Sequence, residues 1–121
     1  MTGGTSGIGA ATARRMAELG VKVVVTGRRQ REGRLLVRDI SRKGGCAAFF
    51  RADLSRPDEA SRIVPFTAET FGHLDYAFNN AGISGDNRLL IDQTEENFDR
   101  VFAVNVKALF LLLMLSLEIK R

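Results

Sequence analysis

The sequence predicts an α/β fold, a parallel sheet with helices wound over both faces. Three observations carry this. Short, nearly continuous β-branched or small apolar runs alternate with segments of helical periodicity. Glycines punctuate the junctions, and a glycine-rich loop opens the first helical pattern. Strands that alternate with helices are joined by right-handed crossovers and therefore run parallel. At 121 residues and 45% hydrophobic the chain suits one domain, taken as residues 1–121, with no repeat or linker inside it.

The opening loop, Thr2-Gly3-Gly4-Thr5-Ser6-Gly7-Ile8-Gly9, reads T-G-x-x-x-G-x-G. Glycines at this spacing let a backbone turn tightly and approach a ligand where a Cβ would clash. A helix beginning at Gly7–Gly9 points its unpaired N–H groups and positive dipole end at an anion in that turn. The competing reading is a flexible Gly/Ser/Thr linker.

Ile8, Thr12, Met16 and Leu19 keep helical spacing, and Gly20 stops the helix. Val21–Thr26 is a strand of the kind buried on both faces, ended by Gly27. Arg31–Lys43 reads as a helix with Leu35, Leu36 and Ile40 inward, closed by Gly44-Gly45, and Ala47–Phe50 is the next strand. Ser55 with Asp58 has the layout of a capping box, and Pro57 suits a first helical turn. Pro65 falls inside a helical pattern that runs to Phe71, where it should kink or break the helix. After Gly72, Leu74–Phe78 reads as a strand. Thr94-Glu95-Glu96 opens the last helix, with acids in its first turn, and Phe98, Val101, Phe102, Asn105 and Leu109 keep helical spacing.

Composition narrows the function. The net charge is +4, and Arg31, Arg34, Arg38 and Arg42 form one basic stripe at helical spacing. A solvated helix face explains it; a nucleic-acid surface would call for interleaved aromatics or a known motif, and neither is present. No charged-then-apolar leader opens the chain, and Ala108–Leu117 is short of the roughly 20 apolar residues that span a bilayer. The expectation is a soluble cytoplasmic protein without membrane or nucleic-acid partners. Cys46 is the only cysteine, which removes disulfides and thiolate metal clusters; it reads as a small buried hydrophobe, and no residues are assigned to a metal.

Arg28 and Arg29 follow the predicted strand Val21–Thr26, and Gly27 stands where a dinucleotide-binding fold would place an acid for the adenosine ribose. Two guanidiniums without a carboxylate favour a 2′-phosphate, hence NADP over NAD, because arginine pairs bidentately with phosphate. The alternative is two surface loop arginines.

Four motifs in order now point to a family: the Thr2–Gly9 glycine loop, Asp53-Leu54, Asn79-Asn80-Ala81-Gly82, and Asn105 within Val104-Asn105-Val106. In these the chain resembles the first half of a short-chain dehydrogenase/reductase, an NAD(P)-dependent oxidoreductase with a Rossmann-type doubly wound sheet. The resemblance implies that Gly3, Gly7 and Gly9, with the backbone of Thr5, Ser6 and Ile8 between them, cradle the pyrophosphate. It implies that Asp53, beside Leu54, accepts a hydrogen bond from the adenine amine. Asn80, Ala81 and Gly82 would line the adenosine and ribose path, while Asn79 ties neighbouring strands. Asn105 matches the family's catalytic asparagine, which holds a water in the proton relay. Simpler readings are a turn acid for Asp53 and a kink-satisfying asparagine for Asn105.

The departures set the expectation for activity. The family's catalytic serine and Tyr-x-x-x-Lys pair have no counterpart: Tyr76, the only tyrosine, is followed four residues later by Asn80. Ser116 falls too early to match that serine, and His73 sits in an ordinary lead-in to a strand. Only Met1 and Thr2 stand where the family's first, central strand belongs. The expectation is therefore a fragment, cut at both ends, of a protein about twice as long that acts on a small alcohol or carbonyl substrate and forms a homo-oligomer. The alternative is a catalytically inactive nucleotide-binding or interaction module. A P-loop NTPase fits poorly, because no Gly-Lys-Ser/Thr follows the glycine loop.

Overall fold

The computed structural model describes residues 1–119. Its elements follow in the order α1 (Gly7–Glu18), β1 (Val23–Gly27), α2 (Gln30–Arg42), β2 (Ala47–Arg51), α3 (Pro57–Ala60), α4 (Ile63–Phe71), a 3-10 turn (Leu90–Asp92), α5 (Glu95–Phe102), a π-helical turn (Ala103–Lys107) and α6 (Ala108–Glu118). β1 and β2 pair in parallel, from Val23 opposite Ala47 to Gly27 opposite Arg51. Thr2 continues the sheet as an isolated parallel bridge to Thr26 on one side and to Asn79 on the other. The spatial order is thus β2, β1, Thr2, Asn79.

The core lies on both faces of this sheet. On one face Ala10, Ala13 and Ala17 of α1 pack with Leu36 and Ile40 of α2 against Val23 and Val25. On the other, Ile63 and Val64 of α4 and Leu112 of α6 pack against Ala52 and Phe50. This two-sided arrangement is the doubly wound sheet expected from the alternation of elements.

Glycine stops place the strands. Gly20 is left-handed at φ 84°, and beside it Val21 N–H bonds Met16 O at 3.1 Å. That double-bonded helix end consumes Val21, so the strand starts at Val23 and not at Val21. Gly44 and Gly45 close α2 in the same way, through bonds to Ser41 and Ile40.

Several expectations are corrected. The buried face of α1 runs through its alanines, while Ile8 and Leu19 are 73% and 63% exposed, because small side chains let the helix lie close on the sheet. In α2, Leu36 and Ile40 point inward, but Leu35 is exposed. In α5 the aromatic pair Phe98 and Phe102 faces outward, stacked at 4.2 Å between ring centroids, and Asn97 is buried instead. Cys46 is exposed, one residue before β2. Ser55 is no cap: its N–H and hydroxyl both turn back to Asp53, and Arg56 occupies the N-cap before Pro57. A side chain that satisfies a local backbone or carboxylate partner is lost to the helix end.

Pro65 breaks the expected helix, but four residues upstream of its own position. Its ring excludes the carbonyl of Ser61 from the ladder, so the chain divides into α3 and α4, and Pro65 falls in the first turn of α4. Leu74–Phe78 is not a strand. Among the described residues, the sheet meets the segment at its end, where Thr2 N–H donates to Phe78 O at 3.0 Å. Between it and Val21–Val24 lies a groove of about 390 Å³.

α5, the π turn and α6 run as one 24-residue helix, Glu95–Glu118, long and apolar enough by length and composition to cross a membrane. The sequence reading over Ala108–Leu117 alone made this segment too short. Ala108, Leu112 and Ser116 form its buried stripe, and α6 packs on α3 and α4.

Candidate functional site

A cleft of about 550 Å³ opens at the C-terminal ends of β1 and β2, where doubly wound sheets bind ligands. Its floor is the glycine loop. Gly3 is left-handed at φ 63°, and a Cβ there would meet Ala81 Cα at 2.9 Å. A Cβ on Gly9 would strike Gly3 O at 2.2 Å, so α1 and its loop close on each other only without side chains. Gly7, by contrast, has no atom within 4 Å of a Cβ position, leaving free space over the start of α1. The first N–H groups of α1 have no helical acceptor, an arrangement that suits an anion.

The loop is pinned from behind. Asn80 donates its side-chain amide to Thr2 O and Gly3 O, both at 3.3 Å. The backbone N–H groups of Asn80 and Ala81 both donate to Thr2 Oγ1 at 3.1 Å. Asn79 joins the sheet through its backbone bridge to Thr2, and Asn80 ties it by side chain as well.

The rim carries the charge. Arg29 Nη2 donates to Thr5 Oγ1 at 3.3 Å and to Ser6 Oγ. Ser6 is the N-cap of α1, yet its hydroxyl serves Arg29 and not the helix. Arg28 lines the same rim. Asp53 Oδ1 accepts from Ser55 N–H at 3.0 Å and Ser55 Oγ at 2.8 Å. Burial pushes its carboxyl pKa up, but the Ser55 hydrogen bonds and the charges of Arg28 and Arg51 outweigh that and hold it below the ordinary value. It stays ionised at neutral pH as an acceptor.

Asn105 sits on the π turn, a distortion found often at functional sites. Its Oδ1 accepts from Ile83 N–H at 2.9 Å and its Nδ2 donates to Ile83 O at 2.8 Å. Both polar ends are therefore committed to the loop after Gly82, so in this conformation Asn105 positions backbone.

Gly3, Thr5, Ser6, Ile8, Arg28, Arg29, Asp53, Leu54, Asn80, Ala81 and Gly82 all line the cleft; Gly7 and Gly9 shape it without lining it, and Asn105 stands behind Gly82. The sequence reading missed Thr26, Ser55, Ile83, Arg100 and Val104, which also line it. Arg100 and Val104 are one helical turn apart, on a face that the apolar pattern of α5 concealed. Thr26 Oγ1 is buried and without a hydrogen-bond partner among the described residues. Tyr76 lies outside the cleft, against the groove beside β1, and Ser116 is buried with its hydroxyl on Leu112 O at 2.6 Å.

A glycine loop at a helix N-terminus, set at the end of a parallel strand beside a basic rim, defines a nucleotide-binding α/β domain. The family model for short chain dehydrogenases matches residues 1–119, and the chain belongs to that family. It is 42% identical over 118 residues to an uncharacterized oxidoreductase of Thermotoga maritima, covering 98% of this chain and 46% of that protein. It is 38% identical over 112 residues to secoisolariciresinol dehydrogenase of Forsythia intermedia, covering 92% of this chain and 40% of that protein. A metagenomic short-chain oxidoreductase, solved in complex with NADP, superposes with a TM-score of 0.91 at 35% identity, over 97% of this chain and 53% of that one. The chain thus spans about half the length of the relatives it matches.

Proposed function

We propose that this chain is the nucleotide-binding part of an NADP-preferring oxidoreductase acting on an alcohol or carbonyl compound. The observation that carries the reading is the rim of the cleft: Arg29 is held by Thr5 and Ser6 beside the N-terminus of α1, Arg28 stands next to it, and position 27 has no carboxylate. The free space over Gly7 suits a pyrophosphate on the N–H groups of the first turn. Asp53, kept ionised, suits an adenine amine, and the two arginines suit a 2′-phosphate. When bound, the nicotinamide supplies the hydride chemistry. The residues of this chain bind and orient; Asn105 and Asn80 fix the backbone on which the nucleotide rests.

Titration of the chain with NADPH and NADH tests this. NADPH should bind more tightly, by about tenfold or more, as the loss of a charge-assisted phosphate pair implies. Arg28→Asp should erode or reverse the preference, since a carboxylate repels the phosphate and accepts ribose hydroxyls. Equal affinities that the substitution leaves unchanged would reduce both arginines to ordinary surface residues.

A second reading, an inactive binding module, is favoured by the positions of Tyr76 and Ser116 away from the cleft and by the commitment of Asn105 to Ile83. No general acid or base faces the cleft in Tyr-x-x-x-Lys form among the described residues, so the 121-residue chain alone should give no turnover with carbonyl substrates. Clear turnover, abolished by Asn105→Ala, would overturn this. The exposed apolar face of α5 and α6 supports self-association, and the exposed, unpaired Cys46 suits a reducing cytoplasm.

A further inference from the structure

Position 27 and Thr5 are coupled by space. A Cβ built on Gly27 would lie 2.8 Å from Thr5 Cγ2 and 3.2 Å from Thr5 Oγ1. The first distance is a clash with a methyl group; the second is tight but tolerable. Thr5 has little freedom to give way. A β-branched side chain is stiff at χ1, and turning the methyl aside swings away the hydroxyl that accepts from Arg29 Nη2.

We propose that Thr5 is a specificity-determining residue of the dinucleotide site: its methyl fills the space that an acid at position 27 would occupy, while its hydroxyl holds Arg29 toward the rim. This rests on the dinucleotide reading above and deepens it. Thr5 then contributes to the choice of nucleotide twice, with Ser6 Oγ sharing the hold on Arg29. A ribose-binding carboxylate is excluded by shape, and a phosphate-binding guanidinium is oriented by a hydrogen bond. An aspartate introduced at position 27 alone either collides with Thr5 or releases Arg29, and in neither case is it seated to accept both ribose hydroxyls.

Two variants separate the functions. Thr5→Ser keeps the hydroxyl and removes the methyl; Thr5→Val keeps the methyl and removes the hydroxyl. Titrations with NADPH and NADH, and with 2′,5′-ADP and 5′-AMP as fragments, should show that Gly27→Asp alone weakens NADPH without improving NADH more than about twofold. Thr5→Ser combined with Gly27→Asp should improve NADH about tenfold over that single variant, as one well-placed charge-assisted pair allows. Thr5→Val alone should weaken NADPH and 2′,5′-ADP several-fold and leave NADH and 5′-AMP unchanged. The steric half has a readout that needs no ligand. Gly27→Ala should lower Tm in the Thr5 background and much less in the Thr5→Ser background, a non-additive cycle of the kind that touching residues give. Additive Tm changes, or a full switch to NADH by Gly27→Asp alone, would overturn the inference while leaving the dinucleotide reading intact. If the unsubstituted chain bound neither dinucleotide saturably, that reading would fail and the assignment of specificity to Thr5 would fall with it.

Discussion

Asp53 shows how local contacts set the charge of one residue of the cleft. Its carboxylate is held by Ser55 in a turn and lies near Arg28 and Arg51, and the net effect depresses its pKa. A depressed carboxylate contributes stability that is present above its unfolded pKa and lost as pH falls through the folded one. The Tm difference between the unsubstituted chain and Asp53→Asn should therefore be steady at neutral pH and close as pH drops below about 4, near the ordinary aspartate value. A gap that widened in acid would reverse the sign of this argument. Asn105 offers a second test at the same scale. Asn105→Ala leaves both backbone groups of Ile83 without their partner. The cost should be about 2 kcal/mol, measurable by denaturant unfolding. Asn105→Asp should cost nearly as much, because a carboxylate accepts from Ile83 N–H but cannot donate to its carbonyl.

At the scale of elements, caps and breaks decide where the helices lie. Thr94 accepts from Asn97 N–H at 3.1 Å and is the one N-cap side chain among the described helices that does so. Thr94→Ala should cost about 1 kcal/mol and loosen the 86–93 loop, whose Gln93 and Asp86 are tied to Asn97. Pro65 makes the opposite prediction. Proline in a helix interior costs roughly 3 kcal/mol, but Pro65 stands in the first turn of α4, where no intrahelical donor is missing. Pro65→Ala should therefore change stability by less than about 1 kcal/mol by denaturant unfolding. A gain near 3 kcal/mol would mean that proline strains a helix that otherwise runs on from α3.

At the scale of the whole molecule, the distribution of apolar surface is uneven. One face of the long helix leaves Phe98, Phe102, Phe110, Leu113 and Leu117 between 47% and 67% exposed, and Leu90 and Ile91, in the 3-10 turn, are 90% and 89% exposed. Monomers rarely carry apolar patches of this extent. The open groove between β1 and residues 74–78 adds sheet edges that invite pairing. The chain should therefore self-associate in a concentration-dependent way by sedimentation, with a Tm that depends on protein concentration. Phe110→Glu with Leu117→Glu should shift it toward monomer. A sharp two-state transition from a monomer would show that these surfaces are tolerated.

The amino-acid sequence by itself determined the order of most elements, the glycine stops at Gly20, Gly44 and Gly72, the glycine loop before α1, and the basic pair Arg28-Arg29 after β1. These are local properties, set by backbone permissiveness, β-branching and the alternation that forces parallel strands. Tertiary structure decided what depends on who faces whom. It turned α1 onto its alanines, exposed Leu35 and the α5 aromatics, and buried Asn97 because a loop needed its amide. It denied Leu74–Phe78 a ladder, since a strand exists only where a neighbour pairs with it. It also placed Thr5 against Gly27, two residues whose sequence separation conceals a contact that only the meeting of the loop with the end of β1 creates.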